Sequence, residues 1–555
     1  MYTFIKKIAV IIVGSFALIS CSKTNMQGKN IPKTATFVLV INGKSLTAKL
    51  PWNELKTNTI FKQVYNDSTI TADIKSILDN PEQAGIDIHT DVVFFINKDS
   101  TGGYISLQGS VKDVAAFKAF NQKNPLHDKA IEKGDITLIN SYAACVGFTK
   151  EKFIYVFDAP SLKKYAYENY GQYKKYVPES IATICTKLFD LSASNSLAKE
   201  DRFSTLLQEQ GDMHYWANGE YFYKTLENSK ALIMFNLDVL YKGSITAGII
   251  NFENGKVNIS NYSYPSDELM KIFKQYKGGK INEDLIKRIP AKEMDAVIAM
   301  NYKPEAIKEL LKLFNVDGLL NTATSDYGVK FNDLIQSNGG DVVLAISDFA
   351  FVNDTAKNVY VDKDEYTTPQ PIPTGNFVFA TSIGNKEAFN KILKGADKFG
   401  SSTFGESTRD FAYKADDKLF ALSNKLANAE QYVGGKINTN YDFIPAISNY
   451  NMGGYINIQA ITKATGVLYK NDYYKKTSSE LTTKMWNNII FYGGDIKNDA
   501  VHYSFELNLM DKTQNSLLQI NNYTSKMAEL AIAAEKSKKE KGVLSNEDAT
   551  IQPSR

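Results

Sequence analysis

The residues whose types and spacing best suit chemistry are tyrosines. Tyr165, Tyr167, Tyr170, Tyr173 and Tyr176 are interleaved with Lys163, Lys164, Lys174 and Lys175. Rings at three-residue spacing lie along one drifting helical ridge. Exposed, they stack on sugar rings or anchor a protein partner, because tyrosine offers contact area at small entropic cost. Laid on a sheet with the lysines in water, they make an ordinary amphipathic helix. Both readings stay open, and Tyr469, Tyr473 and Tyr474 fall in a corresponding helical region of the second half.

Other chemistry is sparse. Gly43-Lys44-Ser45 echoes the end of a phosphate-binding loop, but the glycine needed five residues earlier is Val38, inside a strand pattern, so a strand-to-helix turn is expected. Ser161-x-x-Lys164 and Ser196-x-x-Lys199 match one element of penicillin-recognising acyl enzymes without the elements that complete that site. His89, His127, His214 and His502 are scattered, with no pair four apart on a helix. Asp362, Asp364 and Glu365 lack the glycine turn of a calcium loop and read as a solvated charge run. Neither a catalytic residue, a metal ligand nor a cofactor is assigned. Paired carboxyls of a hydrolase are defined by their separation in space, so they stay open.

A different chemistry sits at the N-terminus. Lys6 and Lys7 precede the uncharged run 8–19, which is too short for a spanning helix of about 20 apolar residues. A basic region followed by an apolar one is the layout of a secretory signal. The run closes on Leu18-Ile19-Ser20-Cys21, which resembles the lipobox of bacterial lipoproteins. That resemblance implies lipidation of Cys21, removal of the signal peptide 1–20, a polar tether over 21–30, and palmitate or a similar acyl chain holding the chain to the membrane. Residues 22–30 contain no Asp or Glu. Surface-exported lipoproteins of Bacteroides-like bacteria often carry acidic residues just after the cysteine, so the lipoprotein resemblance implies the outer membrane facing the periplasm, with surface exposure as the alternative.

Net charge is +3 over 555 residues, and the signal would take away Lys6 and Lys7. So neutral a chain has no global field to recruit nucleic acid. Its 43 % hydrophobic and 23 % charged residues suit a globular protein of more than one core. Past Cys21 only Cys145 and Cys185 remain, both in apolar surroundings, and they read as buried free thiols.

The elements come in two matching series. Residues 36–42, 91–96, 104–109, 136–147 and 153–157 read as strands, with helices over 52–65, 70–78 and 112–120. A mostly helical stretch over 161–210 precedes strands at 231–237, 245–252 and 257–262. Asn254-Gly255 should make a hairpin turn with positive φ at both positions. The second series answers with strands at 296–301, 341–346, 377–382, 409–413, 418–422, 488–492 and 501–509. Residues 277–280 read as a hinge, and 362–375, with Pro369, Pro371 and Pro373, as a long exposed loop. The expectation is α+β: two tandem, distantly similar domains, 31–275 and 289–527, each with a mostly antiparallel sheet packed by helices. Residues 528–555 would form a helix end and a disordered tail.

The lipobox, the strand ending Ile41-Asn42-Gly43-Lys44-Ser45-Leu46, and Asp79-Asn80-Pro81-Glu82 with Gly85-Ile86-Asp87 resemble the Bacteroidales lipoproteins of domain of unknown function 4836. The resemblance implies a secreted lipoprotein and supplies no activity, substrate or catalytic residue. The function expected is a non-enzymatic, lipid-anchored envelope protein that binds an envelope protein or a glycan. A hydrolase assembled only in the fold, or a scaffold or assembly factor, are the alternatives.

Overall fold

The apolar runs of both halves form strands, and each pairing is antiparallel. The computed structural model describes residues 28–548 apart from 69, 71, 100–101, 124–127, 142–143, 160–177, 224–233, 355–358, 362–363, 367–369 and 404–410. From its outer edge the first half contributes β4 (Ile131–Lys133), β5 (Ile136–Ser141), β6 (Ala144–Phe148), β7 (Lys152–Asp158) and β3 (Gly102–Ser110). β2 (Val92–Asp99), β1 (Ala35–Ile41), β8 (Met213–Asn218), β9 (Ile245–Glu253) and β10 (Lys256–Tyr264) follow. β10 then pairs with β20 (Ala500–Leu509), with Ser260 opposite Ser504 near the middle. Beyond that seam lie β19 (Trp486–Lys497), β18 (Met452–Ile456), β11 (Met294–Asn301), β12 (Asn338–Asp354), β15 (Gln370–Ile383), β17 (Leu419–Ser423) and β16 (Ala412–Ala415). The protein is α+β, with one antiparallel sheet of 18 strands and a separate two-stranded ribbon of β13 (Val359–Val361) and β14 (Asp364–Tyr366) between β12 and β15. Outward from the seam, β9, β8, β1, β2, β3, β7 on one side have the chain order of β19, β18, β11, β12, β15, β17 on the other.

Side chains alternate across a strand. On one face, Val38, Val40, Phe95, Ile154 and Trp216 pack with the helices Pro178–Phe189 and Asp201–Gln208. In the second half Val297, Ala299, Val343 and Ala380 pack with helices Leu426–Gly434 and Ile444–Ile447, through Tyr432 and Ile447. Each Val, Ile or Phe among them contributes about 1.5–3 kcal/mol on full burial. Ile41 and Met213 face the other way and meet Leu46 of the helix Gly43–Lys49 and Leu517 of the helix Ser516–Asp548. The C-terminal helix thus closes the first half.

Several elements differ from expectation. β8 and β18 were not anticipated, because Met213–Asn218 and Met452–Ile456 are short and carry polar or glycine residues. The run 136–147 holds two strands, β5 and β6. Residues 231–233 lie outside the described residues, and the rest of the expected strand there ends in a 3₁₀ turn at Leu237–Leu240. The prolines do not make a free loop: Pro371 and Pro373 stand in β15 opposite Asn353 and Phe351. β15 meets β17 only at Val378–Ser382, so these prolines sit where the outer side of the strand needs no donor. Asn254 is not among the residues with positive φ, so its turn is not the expected type; Gly255 alone has φ +67°. The corresponding turn between β19 and β20 does show positive φ at both positions, Asn498 at 49° and Asp499 at 59°. Residues 277–280 are fastened rather than loose: the Gly279 amide donates to Asn301 Oδ1 at 2.6 Å, and Gly278 lies against the Asn301 carbonyl.

Candidate functional site

At the end of β1 the chain turns from strand to helix. Asn42 caps the helix Gly43–Lys49, its Oδ1 accepting from the Ser45 amide at 3.2 Å. This is the strand-to-helix turn expected at Gly43-Lys44-Ser45. Ser45 and Lys49, four apart, share one helical face. Both reach Asp212, the residue before β8, whose carboxylate accepts from Ser45 Oγ, from Lys49 Nζ at 2.5 and 2.7 Å, and from the Phe252 amide at 2.6 Å. Asp212 is 1 % exposed. A carboxylate so buried is tolerable because its charge is met and its lone pairs are filled.

Beside this pair opens a cavity of about 510 Å³, lined by Asn42, Asp91, Glu209, His214 and Asn251 besides Ser45, Lys49 and Asp212. Asp91 lies opposite Asn42, one step beyond the Ile41–Val92 pairing of β1 and β2. Burial pushes its carboxyl up to about 6. Among the described residues no hydrogen bond or ion pair reaches that carboxyl. His214 Nε2 lies 2.9 Å from the Glu209 carbonyl oxygen. A carbonyl only accepts, so Nε2 carries the proton. Burial holds the imidazole below its ordinary value, which leaves it neutral with Nδ1 as an acceptor. The Glu209 carboxylate, at the rim, accepts from the Tyr262 hydroxyl at 2.7 Å. Tyr262 in turn sets its ring edge to the His502 ring across the β10–β20 seam, 4.7 Å between centroids.

The second half carries the same frame without the cavity chemistry. The Asn42 amide donates to the Asp212 carbonyl at 2.8 Å, and the Asn301 amide to the Asn451 carbonyl at 2.7 Å. Asp341, opposite Asn301 as Asp91 is opposite Asn42, accepts from Asn301 Nδ2 at 2.7 Å. Asn451 replaces Asp212, and Gly453 replaces His214 opposite Ala299. Asn451 also crowds Gly494, whose Cβ would stand 1.7 Å from its Oδ1. A carboxyl without a partner belongs to the first half alone of this pair.

A family model matches residues 28–404, which hold the first-half frame and the Asn301–Asp341 part of the second. The chain belongs to the family described as domain of unknown function DUF4836. No curated protein matches this DUF4836 member. Among solved structures it is similar to crystal form III of TP0453, at 13 % identity and TM-score 0.25, over 46 % of this chain and 87 % of that one. Crystal form I of TP0453 gives 15 % identity and TM-score 0.24, over 42 % and 77 %. Likeness this loose transfers no property.

Cys21 and the signal 1–20, Tyr165, Tyr167, Tyr170, Tyr173 and Tyr176, Ser161 and His127 lie outside the described residues. Ser196 is wholly buried, its Oγ donating to the Ala193 carbonyl at 3.1 Å, so it is no nucleophile. Among the described residues no three His, Cys, Asp or Glu side chains stand together as a metal site, and no helix is long and apolar enough to cross a membrane. Cys145 and Cys185 are buried free thiols in one core cluster. The thiol of Cys185 is pushed up chiefly by its hydrogen bond with Cys145. Tyr469 and Tyr474 line a separate apolar groove of about 410 Å³ with Met527, Leu530 and Ala534 of the C-terminal helix.

Sequence reading missed Asp91, Glu209, Asp212 and His214 as a group. One signal was present: an aspartate opens the second strand of both series, at Asp91 and Asp341, after an asparagine closes the first, at Asn42 and Asn301. Which of the two aspartates lacks a partner depends on whether the facing asparagine turns its amide to it, and the strand pattern does not show that.

Proposed function

We propose that the protein is a lipid-anchored envelope protein that binds a small polar ligand in the cavity at the ends of β1, β8 and β9. The observation that carries the binding reading is the Asp91 carboxyl, half-buried in a cavity of about 510 Å³ with no partner among the described residues. An unsatisfied group of this kind costs free energy that a ligand returns on binding. The anchoring reading rests on Lys6, Lys7 and Leu18-Ile19-Ser20-Cys21, and it makes this family member a lipoprotein of Bacteroidales type, in the outer membrane facing the periplasm. Glycans and envelope proteins are the partners it would meet there. A duplication giving 31–275 and 289–527 is supported by the common strand order about the β10–β20 seam.

Two measurements test this. Labelled palmitate should enter the wild-type polypeptide and be absent from Cys21→Ser; no label in the wild type removes the anchor. Ligand-observed NMR with envelope sugars and amines should show saturation transfer to the wild type and none to Asp91→Phe, which plugs the cavity. Equal transfer to both removes the pocket.

A second reading has its own support. Asp91, which keeps its proton up to about pH 6, and Glu209 put a proton donor for mildly acidic conditions and a carboxylate in one cavity, which is what a hydrolase needs. Turnover of any glycan by the wild type, lost in Asp91→Asn, would select it over simple binding. The scaffold reading is favoured by Ile298, Leu344 and Ile346, adjacent on one sheet face and 37–44 % exposed.

A further inference from the structure

We propose that the ligand of the first-half cavity carries a protonated primary amine, and that the Asp91 carboxylate receives its ammonium group. This rests on the binding reading above and adds the chemical class of the ligand.

Hydrogen-bond accounting leads there first. Near Asp91 the Ser45 hydroxyl and the Lys49 ammonium are both engaged by Asp212. The His214 Nε2 proton is engaged by the Glu209 carbonyl. The side-chain amides of Asn42, Gln210 and Asn251 can donate or accept, so the lining groups that only accept and have no cation beside them are the carboxylates of Asp91 and Glu209. A ligand that satisfies acceptors must bring donors, and an ammonium group brings three.

Charge then separates an amine from a neutral polyol. Lys49 is the one cation among the lining residues, and it is spent on Asp212. Asp91 and Glu209 are left without a cationic partner in the lining, so the field in the cavity is negative. Anions are disfavoured, and a cation gains more than a hydroxyl does. The second half supplies an internal control. Both asparagines accept a backbone amide through their oxygen, but Asn301 Nδ2 also donates to Asp341, whereas among the described residues no such bond joins Asn42 to Asp91. The carboxyl that the fold satisfies at one copy of the frame is left for a ligand at the other.

The titratable and charged groups that line the cavity with Asp91 are Lys49 from the helix, Glu209 and Asp212 from the turn before β8, and His214 from β8. Burial alone lifts its pKa to about 6. An ammonium beside it favours the ionised form, so amine binding weakens as pH falls below that value.

The test is isothermal titration of the full chain with two matched pairs, glucosamine against glucose and 1,5-diaminopentane against 1,5-pentanediol, at pH 7.5 and pH 5.0. At pH 7.5 the amine of at least one pair should bind at least ~10-fold tighter than its neutral partner, with the ratio falling below ~3-fold at pH 5.0. Asp91→Asn, whose thermal unfolding verifies that it folds, should abolish the discrimination, and Asp341→Asn should leave it intact. Equal affinity within both pairs overturns the amine and leaves the pocket standing. Binding of none of the four overturns both.

Discussion

Asp91 and Asp212 show how two carboxylates a short distance apart come to opposite states. Asp212 has a cation and two further hydrogen-bond donors; Asp91 has burial and none of these among the described residues. For Asp91 the folded state holds its proton more tightly than the unfolded chain does. Over the window from about 4 to 6 the folded protein therefore binds more protons, and stability falls as pH rises through it. Asp91→Asn should stabilise the protein by up to roughly 3 kcal/mol at pH 7.5 and by almost nothing at pH 4, as read from urea unfolding at the two pH values. Lys49→Met should do the reverse, costing about 3 kcal/mol at pH 7.5 by leaving the Asp212 charge buried and unmet. A second change, Asp212→Asn, should recover much of that loss. None of this was legible in the sequence, because what decides each state is a partner from a distant segment.

At the scale of elements the sequence was more informative. β1, β2, β3, β9, β10 and their counterparts carry continuous or alternating apolar runs, and those runs became strands close to where they were expected. β8 and β18 escaped because a strand between two others takes its stability from both neighbours and tolerates polar residues at its end, as with His214 and Gly453. The prolines at 371 and 373 misled because proline excludes a central strand but not an unpaired outer side. The Asn254-Gly255 turn was right in place and wrong in type, since the segment Asp511–Asn515 lies over it: Gly255 N donates to the Gln514 carbonyl, and a Cβ would stand 2.5 Å from Lys512 Cα. Gly255→Ala should accordingly cost about 2 kcal/mol, through both the positive φ and the close contact, measured as a lower midpoint in urea at unchanged slope.

At the scale of the molecule, matching series of elements pointed to one sheet in each half, and the structure joins the strands of both halves in one sheet of 18. The eight residue pairs between β10 and β20, from Lys256–Asn508 to Ser263–Val501, join the halves through backbone hydrogen bonds. The C-terminal helix then returns to the first half, where Asn58 Nδ2 donates to the Asn521 carbonyl at 2.8 Å. No pattern within a half could announce that its last strand is completed by the other. A chain ending at residue 275 would expose the β10 edge and lose Leu517 from its core. Such a chain should elute as dimers or larger species on size exclusion, whereas the full chain elutes as expected for its length. A monodisperse, stable monomer from the truncated chain would mean that the seam is not needed.

The claim on which ligand, mechanism and pH behaviour all depend is the state of a single carboxyl. Carbon-13 NMR of aspartate-labelled protein, with the Asp91 signal assigned by its loss in Asp91→Asn, measures that state directly. The account predicts a midpoint near 6 without ligand and a fall of about 1 unit or more when an amine occupies the cavity. A midpoint near the ordinary value of free aspartate, unmoved by any amine, would contradict it.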